Sequence, residues 1–393
     1  MAAPRTIAVA GAGVAGLTAA LALAATGFRV IVLEKADRLE EVGAGLQLSP
    51  NATRILIDLG LRAALAARAV APDAISVRAA DHGGEIVRIP LGRAAERDGA
   101  PYWVIHRADL QMALHEAAER APSIELRLGT PCTDFAADNG GVRVTAGGET
   151  IAAAALIGAD GVRSAVRGRL FPDVRPQDTG SIAWRGTALI ERIDGAVVPR
   201  ETRLWLGGGL HMVAYPISAG RAVNIVAFTP GTWRDDGWSA PGEATELTGI
   251  LDTHGWGRDP RRFVAAADGW TRWALATIDS RRIAARGPVA LIGDAAHAML
   301  PFTAQGAGMA IEDAMVLARC LAETPDDAAG ACARYTAARA ARVARVQRTA
   351  ERNGRIYHLK GPAALARNLV MRGLGGTRLL NRQDWIYRWR VGD

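Results

Sequence analysis

The sequence predicts an α/β protein built on a parallel sheet, with a second, antiparallel sheet inserted into it and helices at the C-terminal end. Three observations support this prediction. Residues 6–35 read as strand, glycine turn, helix and strand, the unit that opens a parallel sheet. Short β-like runs separated by glycine and proline occupy residues 76–99 and 176–279. A buried strand pattern returns at 287–297, so the first sheet is Rossmann-like and discontinuous in sequence.

The composition is that of a globular protein with a basic surface. The 393 residues are 49% hydrophobic and 22% charged, with a formal net charge of +7. Nearly all the positive charge is arginine, because lysine occurs only at Lys35 and Lys360. The arginines are scattered and belong to no nucleic-acid-binding module, so we expect a solvated basic surface and no nucleic-acid partner.

Cysteine usage and hydropathy indicate the compartment. Cys132, Cys320 and Cys332 form no CxxC pair and no even-numbered framework, so neither a zinc site nor a disulfide scaffold is predicted. The apolar segment 6–28 lacks a cleavage site and contains the spaced glycines of a turn. We therefore expect a soluble, cytoplasmic protein with no metal and no membrane segment.

The first functional motif is GAGVAG, with Gly11, Gly13 and Gly16 between a strand and a helix. The first glycine makes the tight turn, the second lets a pyrophosphate approach the backbone, and the third packs helix against strand. Glu34, at the end of the second strand, is the carboxylate expected to hold ribose hydroxyls and to repel a 2′-phosphate. These features predict a site for the adenosine of FAD or NAD.

A second candidate site lies in residues 290–314, ALIGDAAHAMLPFTAQGAGMAIEDA. A buried strand places Asp294 at its carboxyl end, where ligands of such sheets bind. Gly306 and Gly308 then precede a helix predicted to begin near Met309. The positive end of that helix would stabilise a reduced, anionic isoalloxazine. The alternative is a glycine turn that leads into a packing helix.

Together with GADGVRSAVR at 158–167, these motifs resemble, in order and spacing, those of the single-component FAD-dependent aromatic hydroxylases. These are the class A flavoprotein monooxygenases typified by para-hydroxybenzoate hydroxylase. The chain is most similar to the branch of salicylate, 3-hydroxybenzoate and 6-hydroxynicotinate hydroxylases, and the resemblance covers most of residues 5–355. We predict an FAD-binding domain from 1–75, 100–175 and 280–355, a substrate-binding β domain from 76–99 and 176–279, and a less regular C-terminal tail at 356–393.

The resemblance implies roles for individual residues. Glu34 would bind the adenosine ribose, Asp294 the ribityl chain, and Asp160 both FAD and the pyridine nucleotide. Arg107 and Gln111, four residues apart on one helix, would reach FAD, although Arg107 alone reads as an ordinary cation near a helix start. The full predicted FAD set is Gly11, Gly13, Ala15, Gly16, Glu34, Lys35, Gly45, Leu46, Gln47, Arg107, Gln111, Asp160, Arg163, Asp294, Pro301, Gly306, Ala307 and Gly308.

The family's activity implies an enzyme that uses FAD, NADH or NADPH, and O2 to hydroxylate a small aromatic acid bearing a hydroxyl group. The implied oxidant is a flavin C4a-hydroperoxide, which requires a dry pocket and a base that ionises the phenol. Loss of CO2, as in salicylate hydroxylation, stays open, as does the choice between a monomer and a homodimer. The alternatives are a heteroaromatic or polyketide-type hydroxylase and an O2-independent FAD oxidoreductase.

The candidate base lies in WLGGGLHMVAYPI, residues 205–217, where His211 and Tyr215 interrupt an apolar strand pattern. Residues four apart on a straight strand face the same side, with Cα atoms about 13 Å apart. Histidine titrates near neutrality, and the resemblance places a His and Tyr pair in this segment. We predict that His211 and Tyr215 flank the substrate, with a possible bulge at 207–209; the alternative is core packing.

Five other residues complete the expectations. Gln305 is predicted to be catalytic and to face the flavin edge, with a loop amide bonded to backbone as the alternative. Thr303 would make the pocket slightly more polar. His297 is expected to be a buried structural ring, and Trp184 a core residue. Arg185 is expected, with Trp184, near the entrance for nicotinamide or substrate, and no arginine stands out as a carboxylate anchor.

Overall fold

The structure is a computed structural model that describes residues 5–39, 45–138, 141–193 and 200–393. Its strands are β1 Thr6–Ala10, β2 Arg29–Leu33, β3 Gly45–Leu48, β4 Ala74–Ala79, β5 Glu85–Pro90, β6 Trp103–His106, β7 Ile124–Arg127, β8 Cys132–Asp138, β9 Gly141–Ala146, β10 Glu149–Ala153, β11 Ala155–Gly158, β12 Gln177–Leu189, β13 Glu201–Leu206, β14 His211–Ile217, β15 Ala222–Pro230, β16 Ser239–Gly242, β17 Trp270–Thr277 and β18 Val289–Leu291. Its helices are α1 Val14–Ala25, α2 Pro50–Asp58, α3 Arg62–Ala66, α4 Ala94–Asp98, α5 Arg107–Glu119, α6 Ala165–Leu170, α7 Ala244–Thr253, α8 Arg258–Ala266, α9 Asp294–His297, α10 Gly306–Glu323, α11 Ala328–Tyr357, α12 Gly361–Asn381 and α13 Asp384–Tyr387.

The first sheet is parallel throughout, in the order β18-β11-β1-β2-β7. Strands β1, β2, β11 and β18 are largely buried on both faces, as is typical of apolar runs in parallel sheets, whereas the edge strand β7 is partly exposed. Helices α1 and α10 pack together beside it and share one hydrophobic core with α5. The predicted Rossmann-like α/β fold is therefore confirmed, including its return to the first sheet at β18.

The second large sheet has eight strands in the order β16-β17-β12-β15-β14-β13-β4-β5. Its pairs are antiparallel except β4 with β13, which are parallel, so the sheet is mixed rather than purely antiparallel as predicted. Strands β4 and β5 come from the early segment near 76–99. They lie at one edge of the sheet, where β4 pairs with β13. The division of the chain into domains at the proposed boundaries stays a prediction.

The inserted sheet buries one face against α7 and α8. Trp184, Trp205 and Trp256 are almost fully buried in this core, which explains why tryptophan collects in this part of the sequence. Trp184 donates a hydrogen bond from Nε1 to Thr229 Oγ1 at 3.0 Å, as expected of a core residue. The opposite face of the sheet is therefore the one available to a ligand.

Two features differ from the sequence-based expectations. Residues 356–393 are helical rather than irregular, because α11 continues to Tyr357 and α12 and α13 follow it. The turn at 207–209 is not a bulge within one strand: β13 ends at Leu206, β14 begins at His211, and the Gly207 N–H donates to the Leu210 carbonyl across the hairpin. Among the described residues, no helix combines the length and apolar character needed to cross a membrane.

Candidate functional site

The predicted nucleotide residues line the carboxyl edge of the parallel sheet. Asp294 follows β18, Asp160 follows β11, the glycine loop follows β1 and Glu34 follows β2. Because these strands are neighbours in that order, the four groups lie side by side along one edge. The carboxyl edge is where ligands of open α/β sheets bind, so the topology brings together segments that are far apart in sequence.

The three glycines of the loop have different surroundings. Gly11 has φ +104°, and a Cβ there would lie 2.6 Å from the Ala159 carbonyl oxygen. A Cβ on Gly16 would overlap the Gly11 carbonyl oxygen. Gly13 is the N-cap residue directly before α1, and a Cβ there would meet no atom within 4 Å. The fold therefore needs Gly11 and Gly16 for packing and leaves open space only at Gly13, which fits the approach of a pyrophosphate to the helix N-terminus.

Two predicted residues hold the glycine loop in place. Glu34 accepts hydrogen bonds from the Ala12 N–H at 2.7 Å and the Ala36 N–H at 3.0 Å. Gln111, on α5, donates from Nε2 to the Ala12 carbonyl at 3.1 Å. Lys35, the neighbour of Glu34, is exposed. The loop is thus pre-organised by a carboxylate and an amide that also border the open space.

The other acidic candidates differ in what they contact. Asp160 accepts hydrogen bonds at Oδ2 from Ala165 N–H at 2.7 Å and Val166 N–H at 3.2 Å, so this oxygen caps α6, while its buried Oδ1 has no partner. The nearby Arg163 lies over Trp238 at 5.1 Å. Asp294 is exposed and makes no hydrogen bond to the described residues, so its carboxylate is available to a ligand.

The predicted start of the helix that follows the second glycine loop is wrong. Helix α10 begins at Gly306 rather than near Met309, so Gly306, Ala307 and Gly308 form its first turn. Pro301 opens a short 3-10 turn, Pro301–Thr303, directly before it. Ala15 of α1 faces Gly293, where a Cβ would lie 3.1 Å from the Ala15 Cβ. The N-termini of α1 and α10 therefore point toward the same carboxyl edge.

The Gln305 side chain is buried and hydrogen-bonded within the protein, and its predicted position at the flavin edge stays a prediction. Its Nε2 donates to Ser49 Oγ at 2.8 Å, and its Oε1 accepts from Asn51 Nδ2 at 3.1 Å. Asn51 also donates to Glu312 at 2.7 Å. Both ends of the amide are therefore engaged by buried groups directly before the start of α10.

A buried ionic cluster lies beneath the Asp294 turn. His297 Nε2 lies 2.5 Å from Asp313 Oδ2, and Arg339 Nε donates to Asp313 Oδ1 at 2.7 Å. Asp313 also accepts the Gly293 N–H at 3.0 Å. Burial alone would raise the pKa of Asp313, but His297 and Arg339 together hold it below its ordinary value. His297 is thus a buried structural ring, as predicted.

The open face of the eight-stranded sheet forms a grid of paired side chains, which we call the floor. Directly paired residues of an antiparallel sheet point to the same side, as do alternate residues along each strand. The β12, β15 and β14 pairings therefore give three rungs, namely Ala183–Phe228–His211, Arg185–Val226–Val213 and Thr187–Asn224–Tyr215. His211 and Tyr215 accordingly share one face, and Arg185 lies on the rung between them.

His211 lies at one end of the floor inside a cluster of aromatic rings. It stacks on Phe228 at 4.5 Å between centroids and meets Phe302 edge-on at 4.9 Å and Tyr357 at 5.2 Å. Its Nδ1 is 2.8 Å from Nε2 of His358, and only 1% of the residue is exposed. Burial, with a smaller effect of His358, lowers the pKa of His211 well below its ordinary value. The ring is therefore neutral near neutral pH and able to accept a proton.

Tyr215 lies at the other end of the floor, against the β3 segment. A Cβ on Gly45 would lie 2.5 Å from the Tyr215 ring, and the Gly45 N–H donates to Asn224 Oδ1 at 2.7 Å. Burial raises the pKa of Tyr215, and the nearby Arg185 only partly opposes this, so its hydroxyl stays protonated. Gln47 accepts a hydrogen bond from Tyr102 at 2.7 Å, and Leu46 is partly buried between these two positions.

Arg185 is the charged member of the floor. It makes no ion pair with any carboxylate of the described residues, its Nε is buried without a partner, and its guanidinium lies 5.7 Å from the Trp273 ring. Burial lowers the pKa of Arg185, while Tyr215 acts in the opposite direction. Arg107 and Asp294 have further and opposite effects on this pKa.

Several residues of this arrangement were not identified from the sequence. His358, Phe228, Phe302 and Asn224 contact the predicted residues only through tertiary structure. Phe228 and Asn224 could have been found from the alternation along AVNIVAFTP, once β15 was paired with β14. Within the described residues, no group of three or more His, Cys, Asp or Glu side chains could hold a metal ion.

Comparisons with known proteins agree with this geometry. A family described as FAD binding domain matches residues 5–350. The chain is 40% identical to the 3-amino-4-hydroxybenzoate 2-monooxygenase of Streptomyces cremeus over 98% of its length and 95% of that protein. It is 34% identical to the 3-hydroxybenzoate 6-hydroxylase of Klebsiella oxytoca over 97% of its length and 96% of that protein. A salicylate hydroxylase substrate complex superposes with a TM-score of 0.83 at 27% identity, covering 99% of this chain and 96% of that one.

Proposed function

The chain belongs to the FAD binding domain family, and on this premise we propose that it hydroxylates a small aromatic acid that carries a hydroxyl group. It is a flavin monooxygenase with FAD as its cofactor. NADH or NADPH is the reductant typical of this class. The relatives described above are named for hydroxybenzoates and aminohydroxybenzoates, which supports a substrate of that kind.

The proposal rests mainly on two contacts between the floor and the cofactor edge. Gly45 packs on Tyr215 and donates its N–H to Asn224, and Phe302 of the turn before α10 packs on His211. The β3 segment and the turn before α10 therefore meet the same face of the eight-stranded sheet. A substrate on that face would lie between the candidate base and the cofactor.

The residues at the edge fit FAD in distinct ways. The open space at Gly13 would take the pyrophosphate, Glu34 the adenosine ribose and the free carboxylate of Asp294 the ribityl chain. The first turn of α10 would present its backbone N–H groups to the isoalloxazine. FAD bound there and reduced by NADH or NADPH would activate O2, the source of the inserted oxygen atom.

His211 is proposed to accept the proton of the substrate hydroxyl. Its Nε2 makes no hydrogen bond to the described residues, whereas Nδ1 is engaged by His358. For Nε2 to act as base, Nδ1 must carry the proton and donate it to His358 Nε2. The phenolate formed in this way is richer in electrons than the phenol, so its ring is more easily hydroxylated.

Tyr215 and the aromatic rings would complete the environment. A protonated tyrosine hydroxyl can donate a hydrogen bond to the substrate but cannot act as a base near neutral pH. Phe228, Phe302 and Tyr357 cover His211 with apolar surface, which excludes water from the reacting atoms.

The test is consumption of O2 and of NADH or NADPH by the FAD-loaded protein with a panel of hydroxybenzoates, aminohydroxybenzoates and hydroxynicotinates, with products identified by mass. We expect at least one compound to accelerate nucleotide oxidation and gain one oxygen atom. The product mass also reports whether CO2 is lost. If every compound leaves O2 consumption unchanged, the proposed function is wrong and an O2-independent oxidoreductase is favoured.

A matched pair of variants tests the base. His211→Phe keeps an aromatic ring in the cluster and removes both nitrogens, and it should lower the hydroxylation rate about 10²- to 10⁴-fold. His82→Phe changes an exposed histidine away from the floor and should have no effect. Equal hydroxylation rates in the two variants would show that His211 is not the base and serves only in core packing.

A further inference from the structure

The floor contains two buried hydrogen-bond donors without partners. Arg185 Nε and Asn224 Nδ2 are both buried, and neither has a hydrogen-bond partner among the described residues. The Asn224 amide orientation is fixed because its oxygen already accepts the Gly45 N–H. Buried polar groups are normally hydrogen-bonded, so two unpaired donors on one surface call for an acceptor from outside the protein.

The two donors are neighbours. Arg185 on β12 pairs with Val226 on β15. Asn224 lies two residues before Val226 on β15, where it pairs with Thr187 of β12 and Tyr215 of β14. All of these side chains point to the same face. The guanidinium and the amide therefore lie one rung apart, about 7 Å between Cα atoms, within reach of one small anion.

The charge distribution favours an anionic acceptor. Arg185 is partly buried and makes no ion pair with a described carboxylate, and its buried Nε has no partner. A guanidinium in such a position is ordinarily paired with an anion. A planar carboxylate matches the fork of a guanidinium and can accept a further hydrogen bond from an amide.

We propose that Arg185 and Asn224 bind the carboxylate of the aromatic substrate, while His211 faces its hydroxyl group. The inference rests on the proposed function and names the residues that would hold the acid group of its substrate. His211 lies one rung from Arg185 and two from Asn224, so a benzene ring above Val213 and Val226 separates the two polar groups. Arg185 and Asn224 are thereby specificity-determining residues.

Binding of paired probes to the FAD-loaded enzyme tests the proposal. The probes are 2-, 3- and 4-hydroxybenzoate, each with its uncharged amide, and the readout is the dissociation constant from the flavin absorbance change. Arg185→Gln should weaken binding of the acids by roughly tenfold to a hundredfold and that of the amides by less than about threefold. Arg185→Lys should be intermediate, because it keeps the charge but loses the fork.

Asn224→Asp is the second variant. This variant keeps the oxygen that accepts the Gly45 N–H and replaces the amide donor with a negative charge, like that of the acid probes. It should therefore weaken binding of the acids without weakening binding of the amides. Arg221→Gln removes an equal charge from the exposed surface and is the control. Circular dichroism and thermal melting check that each variant is folded.

The outcomes separate this inference from the proposed function. Equal weakening of acids and amides in both Arg185→Gln and Asn224→Asp overturns the inference alone. Loss of FAD from Arg185→Gln but not from Arg221→Gln would place the arginine on the cofactor and also overturn it. Failure of every hydroxybenzoate to bind the unmodified enzyme contradicts both proposals.

Discussion

His211 Nδ1 lies 2.8 Å from Nε2 of His358, which joins a fully buried imidazole to a partly exposed one. A proton taken up by His211 therefore has a direct path toward solvent through His358. Burial lowers the pKa of His358, with Arg367 and Lys360 adding to the effect, so it releases a proton readily. The pair is suited to a base that must be reset after each turnover.

Replacing His358 should slow the release of the proton from His211 after each turnover. His358→Phe removes the hydrogen-bond partner of His211 Nδ1 and should lower kcat about tenfold, the equivalent of about 1.4 kcal/mol, with little change in substrate binding. Added imidazole should restore part of the rate of His358→Ala, which leaves space for it, whereas a packing role would not allow this rescue. His82→Phe is the control. An unchanged kcat at every pH would contradict the relay.

The activity of the enzyme should stay high below the ordinary pKa of histidine. Because burial lowers the pKa of His211, its neutral, basic form persists as pH falls through about 6.5. We expect kcat/KM to decline only at lower pH, whereas an exposed histidine base would produce a decline centred near 6.5. The measurement is the pH profile of hydroxylation with product detection. A decline centred near 6.5 would argue against the buried base.

The lowered pKa of His211 also determines how the stability of the protein changes with pH. In the unfolded chain His211 binds a proton below about pH 6.5, but the folded chain does not, so the free energy of unfolding falls as pH drops through this range. His211→Phe should therefore lose less stability than the unmodified protein between about pH 7.5 and 5.5. Urea unfolding at the two pH values measures the difference, and an equal loss in both proteins would contradict it.

Gly13→Val should remove FAD while leaving the fold intact. A Cβ at Gly13 meets no protein atom within 4 Å, so the side chain would fill only the space assigned to the pyrophosphate. Gly249→Val places the same side chain in an exposed helix position with equally free surroundings and should retain FAD. The flavin absorbance of the purified proteins measures how much FAD each variant retains. A fully yellow, folded Gly13→Val protein would refute the nucleotide-site assignment.

Asp313→Asn should destabilise the protein strongly. The carboxylate is fully buried between His297 and Arg339, and its neutralisation leaves the Arg339 charge to Glu312 alone. Breaking a buried ion pair costs about 3–5 kcal/mol. Asp326→Asn, at an exposed surface position, should cost less than about 1 kcal/mol. Thermal melting of the two variants compares these losses, and similar melting temperatures would show that the buried cluster contributes little.

The sequence predicted those parts of the site that depend on local pattern. The strands of the parallel sheet are continuous apolar runs, and Gly11, Gly13 and Gly16 have the spacing of a known turn, so both could be read directly. Alternation along β14 correctly placed His211 and Tyr215 on one face. Their catalytic roles stay predictions.

The remaining features depend on partners distant in sequence. The orientation of Gln305 is set by Ser49 and Asn51, and the partner of His211 lies beyond α11, in a segment predicted to be irregular. The early start of α10 was missed because glycines disfavour helix interiors, although packing against α1 overrides that tendency. The sequence suggested Arg185 for the entrance but not as a carboxylate anchor, because its place on the floor depends on the pairing of β12 with β15.

The position of β18 at the edge of the parallel sheet has a consequence for folding. Its hydrogen-bonding partner β11 precedes the whole run from β12 to β17 in the sequence, so β11 stays an open edge until that intervening run has been synthesised. Closing so long a loop is slow, and an unpaired strand edge exposed during that time can associate with other chains. Asp294 directly follows this late strand, so the cofactor pocket is completed near the end of folding, and FAD added during expression should act mainly by trapping the finished fold.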